Sequence, residues 1–137
     1  MKVTNRSMLT LLAVSGLTWM IAATHSFGAD LSEADQKFLN DYEKIRAALV
    51  EDNLGSAKKA AFTLGDAGVE IAKCSSLEEA RAAFSKLSDT AEKLAAGHTG
   101  YYVMHCPMVN KDWVQTTPAI ANPYGGKEMV RCGEIKK

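Results

Sequence analysis

The chain has 137 residues, with 16 basic and 16 acidic side chains and 47% apolar residues, which is enough for one modest core and too little for two independent domains. Its formal charge is zero and no long basic run occurs, which excludes an electrostatic footprint for nucleic acid or for an anionic membrane surface. Three cysteines allow at most one disulfide within the chain and leave one thiol over.

The N-terminus is read first because it sets the compartment. Lys2 and Arg6 make a positive start, residues 8–23 are an apolar run, and residues 24–29 are mostly small. That order is the pattern of a secretory signal peptide over residues 1–28, cut before Ala29, with cutting after Ser26 as the second choice. The competing reading is an uncleaved anchor, but the run falls short of the ~20 apolar residues that a span needs. No cysteine lies near the cut, which argues against a lipoprotein anchor. Losing Lys2 and Arg6 leaves 14 basic residues against 16 acidic ones, a formal charge of −2. The expected mature chain, residues 29–137, is a single domain, periplasmic or secreted, with no stable membrane insertion after cleavage.

From residue 31 to residue 96 there is no proline, and the apolar positions follow helical spacing. Leu31, Phe38, Tyr42, Ile45 and Leu49 share one face of a first helix, over about residues 31–53. The turn residues Asp52, Asn53, Gly55 and Ser56 end it. A second helix is predicted over residues 56–73, capped by Ser56, with Ala57, Ala60, Leu64, Ala67 and Ile71 inward and Gly65 and Gly68 allowing a close neighbour. The third, over residues 76–96, starts at Ser75-Ser76, where Ser75 with Glu78 or Ser76 with Glu79 forms a capping box. Leu77, Ala80, Phe84, Leu87, Ala91 and Leu94 make its inner face. Short connections favour antiparallel neighbours, so the expected fold class is mainly α, an antiparallel three-helix bundle.

The tail, residues 97–137, has another character. It holds all three prolines, Pro107, Pro118 and Pro123, and many glycines, so another long helix is not expected. Tyr101-Tyr102-Val103-Met104 reads as strand, Lys111 to Gln115 as a short helical turn, and the whole as an irregular, partly extended segment laid on the bundle through Trp113, Tyr101 and Tyr124. After the leader, every methionine (Met104, Met108, Met129), both histidines (His98, His105) and two cysteines (Cys106, Cys132) fall in this tail. Cys106-Pro107-Met108 and Met129-Val130-Arg131-Cys132 each pair a thiol with a thioether at a spacing that lets both sulfurs meet one ion. Thioethers select soft monovalent metals, whereas zinc takes thiolate, imidazole and carboxylate, so the mixture points to copper(I).

The same residues carry a resemblance. Tyr102-Val103-Met104-His105-Cys106-Pro107-Met108, Trp113-Val114-Gln115, Asn122-Pro123-Tyr124-Gly125-Gly126-Lys127 and Met129-Val130-Arg131-Cys132-Gly133-Glu134-Ile135 resemble the domain of unknown function 3347 family, as do Tyr42, Ala48-Leu49-Val50 and Ala83-Phe84 in the helices. Members of that family stand alone behind signal peptides or are fused to periplasmic adaptors of heavy-metal efflux pumps. The resemblance implies copper(I) or silver(I) as the bound ion and an efflux component as partner. It implies Cys106, Met108, Met129 and Cys132 as ligands, brought together by a turn at Asn122-Pro123-Tyr124-Gly125. His105 stands where the family varies and is an optional fifth ligand.

A plainer alternative accompanies each assignment. Cys106 and Cys132 also suit a structural disulfide closing a loop of about 26 residues, worth about 3.5 kcal/mol in the chain-entropy account. Methionines fill core gaps more often than they bind metal, and Met104 and His98 are read as packing and surface residues. Cys74 is read as a small buried side chain. No catalytic arrangement stands out, so an enzyme is not expected. The expectation is a periplasmic copper(I)- or silver(I)-binding buffer or carrier; the alternative is a disulfide-stapled helical interaction module that binds no metal. The leader has a direct test: protein from the envelope fraction should have an intact mass lacking roughly the first 26 to 28 residues, and a full-length mass there would exclude cleavage.

Overall fold

A computed structural model describes residues 30–136, so the leader read over residues 1–28 lies outside the described residues. The described chain is mainly helical. It has four α-helices followed by a small sheet: α1 (Glu33–Val50), α2 (Leu54–Phe62), α3 (Val69–Lys73), α4 (Leu77–Ala95), β1 (Tyr102–Cys106), β2 (Lys111–Gln115) and β3 (Glu134–Ile135).

Helix α1 starts where Ser32 accepts the Asp35 N–H at 3.1 Å, and Glu33 and Asp35 place negative charge at its positive end. Leu39, Tyr42, Ile45 and Leu49 form its buried stripe. Leu31 precedes the helix and packs, half-buried with Phe38, against the same core. Asp52, with a left-handed φ of 55°, turns the chain. Its carboxylate pairs with Arg81 on α4 and accepts the Lys127 N–H at 3.3 Å; the Arg81 guanidinium holds that carboxyl below its ordinary range.

The single helix expected over residues 56–73 is instead broken in two. Asn53, rather than Ser56, is the cap: its Oδ1 accepts the Ser56 N–H at 2.9 Å. Helix α2 ends at Phe62, a 3-10 turn follows over Gly65–Gly68, and α3 completes the segment. The break follows from the glycines. Gly65 takes a φ of +59°, and a Cβ on Gly68 would lie 1.8 Å from the Ala61 carbonyl oxygen, so the chain folds back on its own preceding turn. The close approach read from these glycines is therefore within the segment. The inner face changes with it: Ala57, Ala61 and Ile71 are buried, whereas Ala67 is exposed.

Helix α4 is capped as expected by Ser76, whose Oγ accepts the Glu79 N–H at 3.1 Å. Glu79 closes the box one residue earlier than anticipated, accepting the Ser75 N–H at 2.7 Å. Ala80, Phe84, Leu87, Ala91 and Ala95 are buried along its inner face. Phe84 stacks on Tyr42 with ring centroids 4.7 Å apart, which joins α4 to α1.

The tail departs from expectation in part: its extended pieces pair into a small sheet, while residues 116–126 form neither helix nor strand. β1 pairs antiparallel with both β2 and β3, giving the order β2-β1-β3. Residues 111–115, read as a helical turn, form strand β2, with Trp113 opposite Met104 and Val114 opposite Val103. Cross-strand apolar pairs and a four-residue hairpin loop, in which Asn110 takes a φ of 50°, outweigh any local helical tendency. Alternation gives the sheet two faces. Val103 and Val114 pack on the helical core. Met104, Cys106 and Trp113 form a second, smaller core with Ile120, Tyr124, Met129 and Cys132. Trp113 therefore belongs to a core of the tail's own, whereas Tyr101 and Tyr124 do cover the helices.

A run of hydroxyls joins the two parts. The Val114 N–H donates to Tyr42 Oη at 3.1 Å, Tyr42 and Ser88 lie 2.9 Å apart, Ser88 and Tyr124 lie 2.8 Å apart, and Tyr124 donates to the Asp112 carbonyl at 3.1 Å. The ends set the direction: Tyr124 spends its one proton on Asp112, so Ser88 donates to Tyr124 and Tyr42 to Ser88. Burial pushes both phenols well above their ordinary pKa and keeps them neutral. Tyr42→Phe should cost about 1–3 kcal/mol, since it orphans the Val114 N–H. In a urea-unfolding cycle with Tyr124→Phe the two losses should fail to add by about 0.5 kcal/mol or more; additivity would show that the hydroxyls act separately.

Candidate metal centre

Cys106 ends β1 with no exposure to solvent. Pro107, next in the hairpin loop, has no N–H to offer, while the loop N–H groups of Val109 and Met108 favour the ionised form of Cys106. Cys132 approaches from the far end of the tail, beyond a 3-10 turn over Lys127–Met129. The two sulfurs lie 2.7 Å apart. Gly133 permits the approach, because a Cβ there would lie 2.7 Å from the Trp113 ring and 3.2 Å from the His105 carbonyl oxygen.

Buried amides hold the intervening loop. Gln115 Oε1 accepts from Trp113 Nε1 at 2.9 Å and from the Ala121 N–H at 3.2 Å. Its Nε2 donates to the Thr117 and Ala119 carbonyls at 2.6 and 2.7 Å. Asn122 Oδ1 accepts the Tyr124 N–H at 2.8 Å, its Nδ2 donates to the Cys132 carbonyl at 2.9 Å, and its own N–H donates to Val130 O at 2.9 Å. The Asn122 amide also favours the ionised form of Cys106. Two arginines then fasten this loop to the helices: Arg46 donates to the Ala121 carbonyl and Arg81 to the Pro123 carbonyl, each at 2.9 Å.

These surroundings make the two thiols unequal. Burial opposes ionisation of Cys106, but the Cys132 thiol and the N–H groups of Val109 and Met108 outweigh it and hold Cys106 below the ordinary thiol range. Cys132 moves upward, first because it is hydrogen-bonded to Cys106 and then because of burial. One proton is thus more readily lost and the other is retained between the sulfurs.

The other residues expected to bind divide. Met129 joins the second core beside Cys106 and Cys132, folded over Gly125 so closely that a Cβ there would meet its own Cβ at 2.3 Å. Met108 is 75% exposed. His105 is not brought to the pair: it alternates to the opposite face of β1, with Nδ1 2.6 Å from Asp112 Oδ1, while Lys136 holds the other Asp112 oxygen. Cys74 ends α3 elsewhere, its thiol donating to the Glu70 carbonyl at 3.2 Å, and burial raises its pKa. Met104 shares the buried face of Cys106 two residues along the strand; strand alternation from Tyr102 onward was the signal for that. The effect of the Met108 and Val109 N–H groups on Cys106 had only Pro107 as a sequence cue.

Among the described residues, no three His, Cys, Asp or Glu side chains converge as a metal-binding group. The thiol pair therefore has only sulfur as further soft donor in its own core. Such a pair has two chemistries: it closes a disulfide by giving two electrons and two protons to an oxidant, or it gives up protons to a soft cation. The residues present fit the latter in donor type. No family model matches the chain, and no curated protein or solved structure matches it.

Asn122 ties Cys132 into register with Cys106. Asn122→Ala should lower unfolding free energy by about 2–3 kcal/mol, by leaving partners unsatisfied in the loop. It should also slow oxidant-driven loss of the two thiols, measured by free-thiol counting over time; unchanged stability and rate would remove Asn122 from this role.

Proposed function

We propose that this chain is a periplasmic or secreted copper(I)- or silver(I)-binding protein, a buffer or carrier associated with metal efflux. The observation that carries the reading is the contact between Cys106 and Cys132, which, with the Val109 and Met108 N–H groups, favours thiolate at Cys106 against burial. Two thiolates in an apolar pocket with Met129 beside them suit a soft, low-coordinate monovalent ion, and exchange through weak thioethers suits transfer. His105 is the weakest of the proposed ligands, since it faces away from the pair and is engaged with Asp112. The resemblance to the domain of unknown function 3347 family supports an efflux adaptor as partner, and the leader pattern supports the compartment.

A second reading follows from the same contact. Two sulfurs this close in an oxidising compartment also suit a disulfide-stapled helical interaction module with no metal. The two readings differ in what a reduced sample does. Reduced protein should bind about one silver(I), a redox-inert stand-in for copper(I), far more tightly than zinc(II). Cys106→Ser or Cys132→Ser should nearly abolish binding, Met129→Leu should weaken it, and prior oxidation of the pair should block it. Affinity should fall with pH as the thiols regain protons, Cys132 first. Equal silver(I) affinity in the wild type and the double-cysteine variant, titrated against a competing chelator, would leave the stapled module as the better account.

A further inference from the structure

Met108 occupies the hairpin loop in an unusual way. It lies two residues beyond Cys106, in the four-residue loop that joins β1 to β2, so its Cα is tied to the strand end that carries the buried sulfur of the pair. Its side chain, however, is 75% exposed. An apolar side chain left in water gains little of the roughly 1.5–3 kcal/mol that full burial provides, so packing does not account for a methionine here. Turn chemistry does not ask for one either, since Gly, Asn, Asp and Ser serve such positions better. The remaining property is the thioether. It hangs on a flexible stem of three rotatable bonds two residues from Cys106.

The sulfurs of this core differ in access. Cys106 and Met104 have no exposed surface, Cys132 and Met129 are half-buried, and Met108 alone among them is open to solvent. Met108 is therefore the sulfur most open to an ion arriving from outside.

We propose that the Met108 thioether is the loading ligand of the site: it captures a soft monovalent cation at the surface, passes it to Cys106 and Cys132, and receives it again on release. This rests on the copper(I) or silver(I) reading. The step is ligand exchange. A weak thioether–metal bond is replaced by thiolate–metal bonds, the displaced thiol protons leave to water, and no electron is transferred.

The test separates rate from affinity in the full mature chain, with silver(I) supplied from a chromogenic chelator. Met108→Leu keeps the shape of an exposed side chain, so its circular dichroism should match the wild type. It should slow silver(I) transfer to the protein and back to excess chelator by about tenfold each, corresponding to about 1.4 kcal/mol on the barrier, with affinity changed by less than about threefold. Met129→Leu should do the reverse, weakening affinity with little change in the capture rate. If Met108→Leu leaves both rates unchanged, the loading role is overturned while the site stands. If it lowers affinity through faster release alone, Met108 is a resident ligand, which also overturns the loading role. If wild-type protein takes up no silver(I) at all, the metal-binding reading itself fails.

Discussion

The hydroxyl chain from Tyr42 through Ser88 to Tyr124 is the constraint on which the arrangement of this molecule depends. β2 is an edge strand, and an edge exposes unpaired main-chain groups. Here the Val114 N–H and the Asp112 carbonyl are satisfied by the two tyrosines, which come from α1 and from the tail, with α4 supplying the serine between them. One continuous set of three protons thus fixes a helix pair, a strand edge and a distant loop at once. The aromatic rings attached to these hydroxyls continue the connection. Tyr124 lies 5.8 Å from Phe84 and 6.3 Å from Trp113, and so belongs to both cores.

That junction explains how a small tail holds a defined sulfur pair. Three short strands alone would be marginal, but this sheet is covered on one face by helices and on the other by its own returning loop. The loop is ordered by amides and guanidinium groups more than by apolar area. Gln115 and Asn122 are buried with hydrogen-bond partners on both their side-chain oxygen and nitrogen atoms, and Arg46 and Arg81 bind the Ala121 and Pro123 carbonyls. Because each buried polar group is paired, the loop has few alternative ways to pack. The position of Cys132 follows from that pairing.

The chemistry of the pair then depends on competition between burial and hydrogen bonding. Burial alone would make Cys106 an inert thiol. The Cys132 thiol, with the loop N–H groups of Val109 and Met108, outweighs it, while Pro107 contributes no donor. The same loop leaves the Met108 side chain in solvent. Electrostatic preparation and access therefore both draw on one four-residue connection.

The helices were legible in the sequence because their information is local. The stripe of Tyr42, Ile45 and Leu49 lies within α1, where the structure adds Leu39 and leaves Phe38 half-buried, and the cap of α4 lies within Ser75, Ser76 and Glu79. Periodicity and capping report those features without reference to the rest of the chain. The concentration of sulfur in the tail was legible for the same reason. What the sequence alone did not decide was everything set by distant partners. The break before α3 depends on Gly68 meeting the Ala61 carbonyl. The strand at residues 111–115 depends on pairing with β1. Which potential ligands meet depends on strand alternation, which turns Cys106 into the small core and His105 away from it. Those outcomes are settled by steric contact and cross-strand hydrogen bonding between separate turns and strands, which periodicity within one element does not report, and only the folded structure contains them.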